Sequence, residues 1–92
     1  MGKKWTNSRN NVCEFQILDF RTADYYDQKF HNTNWQRLDT SRDASDFGVW
    51  INPAQYKIIT FAEGGELVTE CQDIDSFRAE LQHMREVYNM FL

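Results

Sequence analysis

This chain of 92 residues lacks most of the features from which a function is usually read. It has only two cysteines, Cys13 and Cys71. That is too few for a disulfide framework, and they have no CxxC spacing. Each lies in an apolar, strand-like run where a free thiol behaves as a small hydrophobe, so a reducing, cytoplasmic setting is expected. No apolar run approaches the roughly 20 residues of a membrane span, so no membrane partner is expected. Nor does an apolar stretch follow Lys3 and Lys4, as a secretory signal requires. Repeats, low-complexity blocks and interdomain linkers are missing too.

The chemistry-bearing residues are equally sparse. His31 and His83 are the only histidines, neither forms an HxxxH or HExxH pattern, and no zinc site is expected. Asp39, Asp43 and Asp46 cluster in a polar loop, but their spacing misses the EF-hand alternation and they read as turn-forming residues. Asp46-Phe47-Gly48 resembles a kinase DFG only in letters, with no glycine-rich loop or HRD beside it. Gly64-Gly65 is not followed by a helix and is flanked by Glu63 and Glu66, which makes it a hairpin turn and not a phosphate loop. The weak-enzyme reading would rest on Cys71 or His83, and buried cysteines are usually inert. No metal, cofactor or catalytic activity is expected.

What the chain does have is aromatic side chains and unevenly placed charge. Phe, Trp and Tyr make up 15% of the residues, enough to build a small core or to anchor an interface. Residues 1–10 carry Lys3, Lys4 and Arg9 and no acid. Between Ile58 and Phe77 the charge is all acidic: Glu63, Glu66, Glu70, Asp73 and Asp75. With a net charge of −4 and only a short basic segment, nucleic acid is not the expected partner.

Periodicity then yields an α+β domain: a small antiparallel sheet packed against a short N-terminal helix and a long C-terminal one. Residues 1–11 read as a mobile polar, basic tail and 12–92 as a single domain. Cys13, Phe15 and Ile17 alternate with Glu14 and Gln16 in a first strand over 12–20. Thr22 is placed to cap a helix through about Phe30, with Ala23, Tyr26 and Phe30 on one stripe. Residues 34–39 suggest a short strand, which makes one or two N-terminal strands in all. A three-stranded meander follows, turning at Asn52-Pro53 and at Gly64-Gly65. Asp73 or Asp75 caps a last helix running to about Phe91, with Ile74, Phe77, Leu81, Met84 and Tyr88 in its apolar stripe.

The meander carries apolar residues on both faces. With the turns at 52–55 and 64–65, Val49 is expected opposite Ile58 and Phe61 opposite Val68. One face then holds Phe47, Val49, Ile51, Tyr56, Ile58, Ala62, Leu67 and Cys71, which the last helix covers. The other holds Trp50, Ile59, Phe61 and Val68, more than a solvated face needs. Either the N-terminal half, through helix 22–30 and Trp35, packs over them, or another protein does.

Two classes of function follow. The leading one is a small non-enzymatic cytoplasmic protein that binds and modulates another protein; a phage- or mobile-element-type inhibitor of a host or defence enzyme is one form of it. There Trp50, Ile59, Phe61 and Val68 are the apolar anchors and Glu63, Glu66 and Glu70 an acidic rim, and Trp50→Ala should weaken binding but leave the fold intact. Homodimerisation through the same face is compatible with this. The alternative is a nucleotide- or metabolite-binding domain with Trp35, Trp50 and Tyr56 lining a pocket between sheet and first helix.

Overall fold

In a computed structural model of the protein, residues 2–17, 22–38, 47–62 and 64–89 are described here, the side chains of 87–89 excepted. Glu63, Asp39, Asp43 and Asp46 lie outside them, as does the end of the helix expected to reach Phe91.

The domain is α+β, with a six-stranded antiparallel sheet and two helices among the described residues. The strands are β1 (Gly2–Thr6), β2 (Val12–Ile17), β3 (Gln36–Arg37), β4 (Phe47–Asn52), β5 (Lys57–Ala62) and β6 (Gly65–Glu70). The helices are α1 (Ala23–Lys29) and α2 (Ile74–Asn89). In space the strands run β1-β2-β6-β5-β4-β3, so the expected meander is the centre of a wider sheet, extended by β1 and β2 on one side and β3 on the other.

The N-terminal segment differs from its sequence reading. Residues 2–6, expected to belong to a polar tail, form an edge strand paired along its length with β2, with Trp5 opposite Cys13. Gly-Lys-Lys-Trp-Thr carries no apolar alternation because every one of its side chains is exposed. The signal lay instead in the turn: the Asn10 amide donates to the Asn7 carbonyl at 3.0 Å, and Asn10 adopts φ 61°. Such a left-handed residue closing a three-residue hairpin loop suits Asn.

Both meander hairpins are two residues out of the expected register. Ile51 pairs with Ile58 and Val49 with Thr60, since the turn occupies 53–56 and not 52–55. Asn52 starts it, its buried Oδ1 accepting from the Ala54 and Gln55 amides at 3.1 and 3.2 Å. In the next hairpin Phe61 pairs with Glu66 and Ile59 with Val68. Gly65 is already in the strand, and Gly64 turns the chain with φ 82°. A shift of two preserves the side-chain alternation, so every residue stays on its expected face.

The helices cover the two faces. Thr22 stands at the N-cap of α1 with extended geometry, but its side chain makes no capping bond. Asp73 does cap α2, accepting from the Ser76 amide at 2.8 Å. Under α1 lie Trp50, Ile59 and Phe61 with Ala23, Tyr26 and Phe30, and Trp35 and Val68 pack against them. Under α2 lie Leu38, Val49, Ile58 and Cys71 with Phe77 and Met84, joined by Phe47, Ile51, Tyr56 and Leu81. The face that sequence left for either the N-terminal half or a partner is therefore covered by α1 and Trp35.

Candidate functional site

The covered face explains what became of the expected anchors. Trp50 is 1% exposed and Phe61 1%, with Ile59 also buried and Val68 half-buried. The Tyr26 ring stacks on Trp50 at 4.6 Å between centroids and meets Phe61 at 5.0 Å. Trp50 Nε1 donates to Asp27 Oδ1 at 3.1 Å, and the Arg37 guanidinium sits 5.1 Å from its ring. A Cβ on Gly48 would come within 2.4 Å of the Trp50 ring, so a glycine is needed beneath the indole. These are core residues, and assigning Trp50, Ile59 and Phe61 as exposed anchors is corrected on that ground.

The expected acidic rim is partly absorbed as well. Glu66 accepts from the Tyr26 hydroxyl at 2.5 Å, which ties β6 to α1. Glu70 is exposed, 4.0 Å from the Lys57 ammonium across the strands. The alternative pocket does not assemble either. Trp35 stacks on Phe30 and belongs with Trp50 to the α1 side, whereas Tyr56 packs against Phe77 on the α2 side.

The open surface lies on the side expected to be closed. Strand pairing puts Trp5, Cys13 and Thr69 in one cross-strand row, Lys3, Phe15, Leu67 and Thr60 in the next, and Ile17, Gly65 and Ala62 in a third. All face the α2 side. Trp5 is 43% exposed and Ile17 72%; Phe15 and Leu67 are half-buried. A cavity of about 250 Å3 lies between α2 and these strands, lined by Trp5, Arg9, Cys13, Leu67, His83 and Met84 among others. A second, of about 270 Å3, lies against Phe15, Ala62 and Gly65. Thr60 and Leu67 line both, so the two adjoin and together make one largely apolar groove. Phe15 lies flat over Gly65, where a Cβ would come within 2.7 Å of its ring.

A clamp between α2 and the β1–β2 turn closes one end of the groove. Glu80, 3% exposed, accepts from Asn7 Nδ2 at 3.0 Å, Asn11 Nδ2 at 2.7 Å, and Arg9 Nε and Nη2 at 2.8 and 3.0 Å. Burial, the largest influence, pushes the Glu80 carboxyl up. The bonds from Arg9, Asn11 and Asn7 together outweigh it and hold the group below the ordinary carboxylate range. The bond to Glu80 in turn raises Arg9. Sequence reasoning missed this pair because it placed Arg9 in a tail. The signal was Glu80 itself, three residues after Phe77 and four before Met84, and so on the buried face of the helix.

The thiols are set for packing. Burial, first among its influences, pushes Cys71 up to about 11, far from a thiolate near neutral pH. Cys13 Sγ lies 3.9 Å from the Asn11 carbonyl and 3.8 Å from Thr69 Oγ1, and both cysteines are free. His83, exposed, shares the cavity beside α2 with Cys13. No three of the His, Cys, Asp and Glu side chains converge as a metal site among the described residues. No described helix is long and apolar enough to cross a membrane. No protein-family model, no curated protein and no solved structure matches this chain.

Proposed function

We propose that this protein is a small non-enzymatic binding module that takes an apolar segment of another protein into the groove beside α2. One observation carries the reading: Trp5, Phe15, Ile17 and Leu67 share one side of the sheet, and Trp5, Phe15 and Leu67 line adjoining cavities that no described side chain fills. Partly exposed aromatics beside a cavity are the usual anchors of protein interfaces. The reading keeps the binding function expected from the sequence and moves its site to the opposite face. The two free, buried thiols favour a reducing compartment.

The test is selection of a randomised library of short linear peptides on the intact protein, with a Trp5→Ala/Ile17→Glu double variant as the counter-target. Enriched peptides should bind the double variant more weakly by about 2 kcal/mol or more, the loss expected of an aromatic hot spot. Equal binding to both proteins would move the interface elsewhere.

A small apolar ligand is the second reading, favoured by Thr60 Oγ1. Among the described residues this hydroxyl is buried without a hydrogen-bond partner, and it belongs to a residue lining both cavities. Such groups normally have a partner. A thermal-shift screen of nucleotides and metabolites tests it, because a ligand held there raises the melting temperature by mass action.

A further inference from the structure

The groove ends at β1, and the geometry of that edge says more about what it would receive. The Asn7 amide donates to the Asn11 carbonyl at 2.9 Å, which makes Asn7–Asn11 a hydrogen-bonded pair of the β1–β2 ladder. Antiparallel ladders alternate, so Trp5 and Lys3 also turn their backbone groups toward β2. Gly2, Lys4 and Thr6 turn theirs to the outer side. Among the described residues nothing pairs with them there.

Edge strands with this much free backbone are usually blunted, and lysine is a common means. Lys3 and Lys4 fit that protective role. Here, though, the strand is unbroken over five residues, has no proline or bulge, and carries the partly exposed Trp5. The opposite edge is far less accessible: β3 is two residues long, and Arg37 is bonded to Asp27 Oδ2 and the Phe47 carbonyl, each at 3.1 Å. Among the described residues there is one long free edge, and it adjoins the apolar groove.

Charge narrows the occupant. The chain has a net charge of −4 while its first ten residues hold three cations and no acid, leaving −7 on the rest. Arg9 is committed to Glu80. Lys3 and Lys4 make no ion pair among the described residues. They are thus the free cations of a basic strand on an acidic protein. A second copy does not fit this edge: the full antiparallel register of β1 with itself sets Lys4 against Lys4, and like charges directly opposite are destabilising. Nucleic acid fits poorly, because Lys4 stands opposite Glu14 and shares a hollow with Glu70.

We propose, resting on the groove-binding reading above, that the partner segment adds to the sheet as a strand antiparallel to β1, with an apolar residue opposite Trp5 and acidic residues opposite Lys4 and Lys3. Its backbone bonds to Gly2, Lys4 and Thr6. Its apolar side chain extends the strip of Trp5, Cys13 and Phe15 into the groove, while pairing with the lysines sets direction and register. Strand addition of this kind draws affinity from the main chain and specificity from alternate side chains.

The experiment uses the full chain and peptides enriched from the randomised library. Lys4→Pro is the informative variant: it deletes an outward N–H and leaves the β1–β2 ladder intact, as proline on an edge strand can. The expected result is that enriched peptides carry acids next to an apolar residue and slow amide exchange at Gly2, Lys4 and Thr6. They should bind Lys4→Pro roughly tenfold or more weakly, the worth of a lost interfacial hydrogen bond, at an unchanged melting temperature. A Lys3→Glu/Lys4→Glu variant should enrich basic peptides in place of acidic ones, a test that stands even if the proline variant unfolds. Peptides that depend on Trp5 and Ile17 but leave those three amides unprotected would overturn strand addition and keep the groove. No enrichment over the Trp5→Ala/Ile17→Glu variant would overturn both. Competition by a single-stranded oligonucleotide would reassign the edge to nucleic acid and overturn the proposal.

Discussion

The two sides of the sheet are covered by helices of very different length, and the shorter helix does the more complete job. α1 has seven residues, yet with Phe30 and Trp35 it buries Trp50, Phe61 and Ile59. α2 has sixteen and leaves Trp5, Phe15 and Leu67 beside open cavities and Ile17 exposed. The difference lies in what fastens each helix. On the α1 side aromatic rings stack directly onto the strands, and the polar tips of Tyr26 and Trp50 are bonded to Glu66 and Asp27. On the α2 side Phe77 and Met84 pack over β4 and β5, while a buried charge, Glu80, holds the helix to the β1–β2 turn. A clamp fixes where a helix lies without filling the space beside it.

If that contrast is right, the largest effect should come from the closed side. Trp50→Ala removes a stacked, hydrogen-bonded indole and should destabilise the protein by about 4 kcal/mol in urea unfolding. An interface anchor, in contrast, would leave the fold intact. Next comes the clamp. Glu80→Ala strands the buried amide of Asn11, the half-buried amide of Asn7 and the Arg9 guanidinium, and should cost about 3 kcal/mol by the same measurement.

The same carboxylate sets a pH dependence with a definite sign. Its folded-state pKa is held below the ordinary value of 4.5, so its contribution is complete above that value. It is lost as pH falls through the lower folded value. Melting temperature should therefore drop on acidification below about pH 4.5 in the wild type. The drop should be smaller in Glu80→Gln, which is less stable at neutral pH but has no carboxylate to protonate. The smallest effect sharpens the comparison from the open side. Trp5→Ala and Ile17→Lys should each change stability by no more than about 0.5 kcal/mol. If either unfolded the protein, the strip would be core and the two sides alike.

Much of this arrangement was legible, and the misses have physical causes. Val49, Ile58 and Cys71 were assigned to one side and Trp50, Ile59 and Phe61 to the other although both hairpin registers were two residues off. An even slip leaves the alternation unchanged. β1 was not legible, because a strand with every side chain exposed shows no apolar period. With β1 taken for a tail, Trp5 had no place on the sheet and Arg9 no partner. The groove could not be seen without them.

Local periodicity, turn residues and caps therefore determined by themselves that the protein is α+β, which side chains share a face, and where α1 and α2 lie along the chain, since each of these depends on neighbours a few residues apart. Which face stays open was decided only in the tertiary structure. It depends on Tyr26 reaching Glu66 across 40 residues and on Arg9 reaching Glu80 across 71, contacts for which sequence has no period.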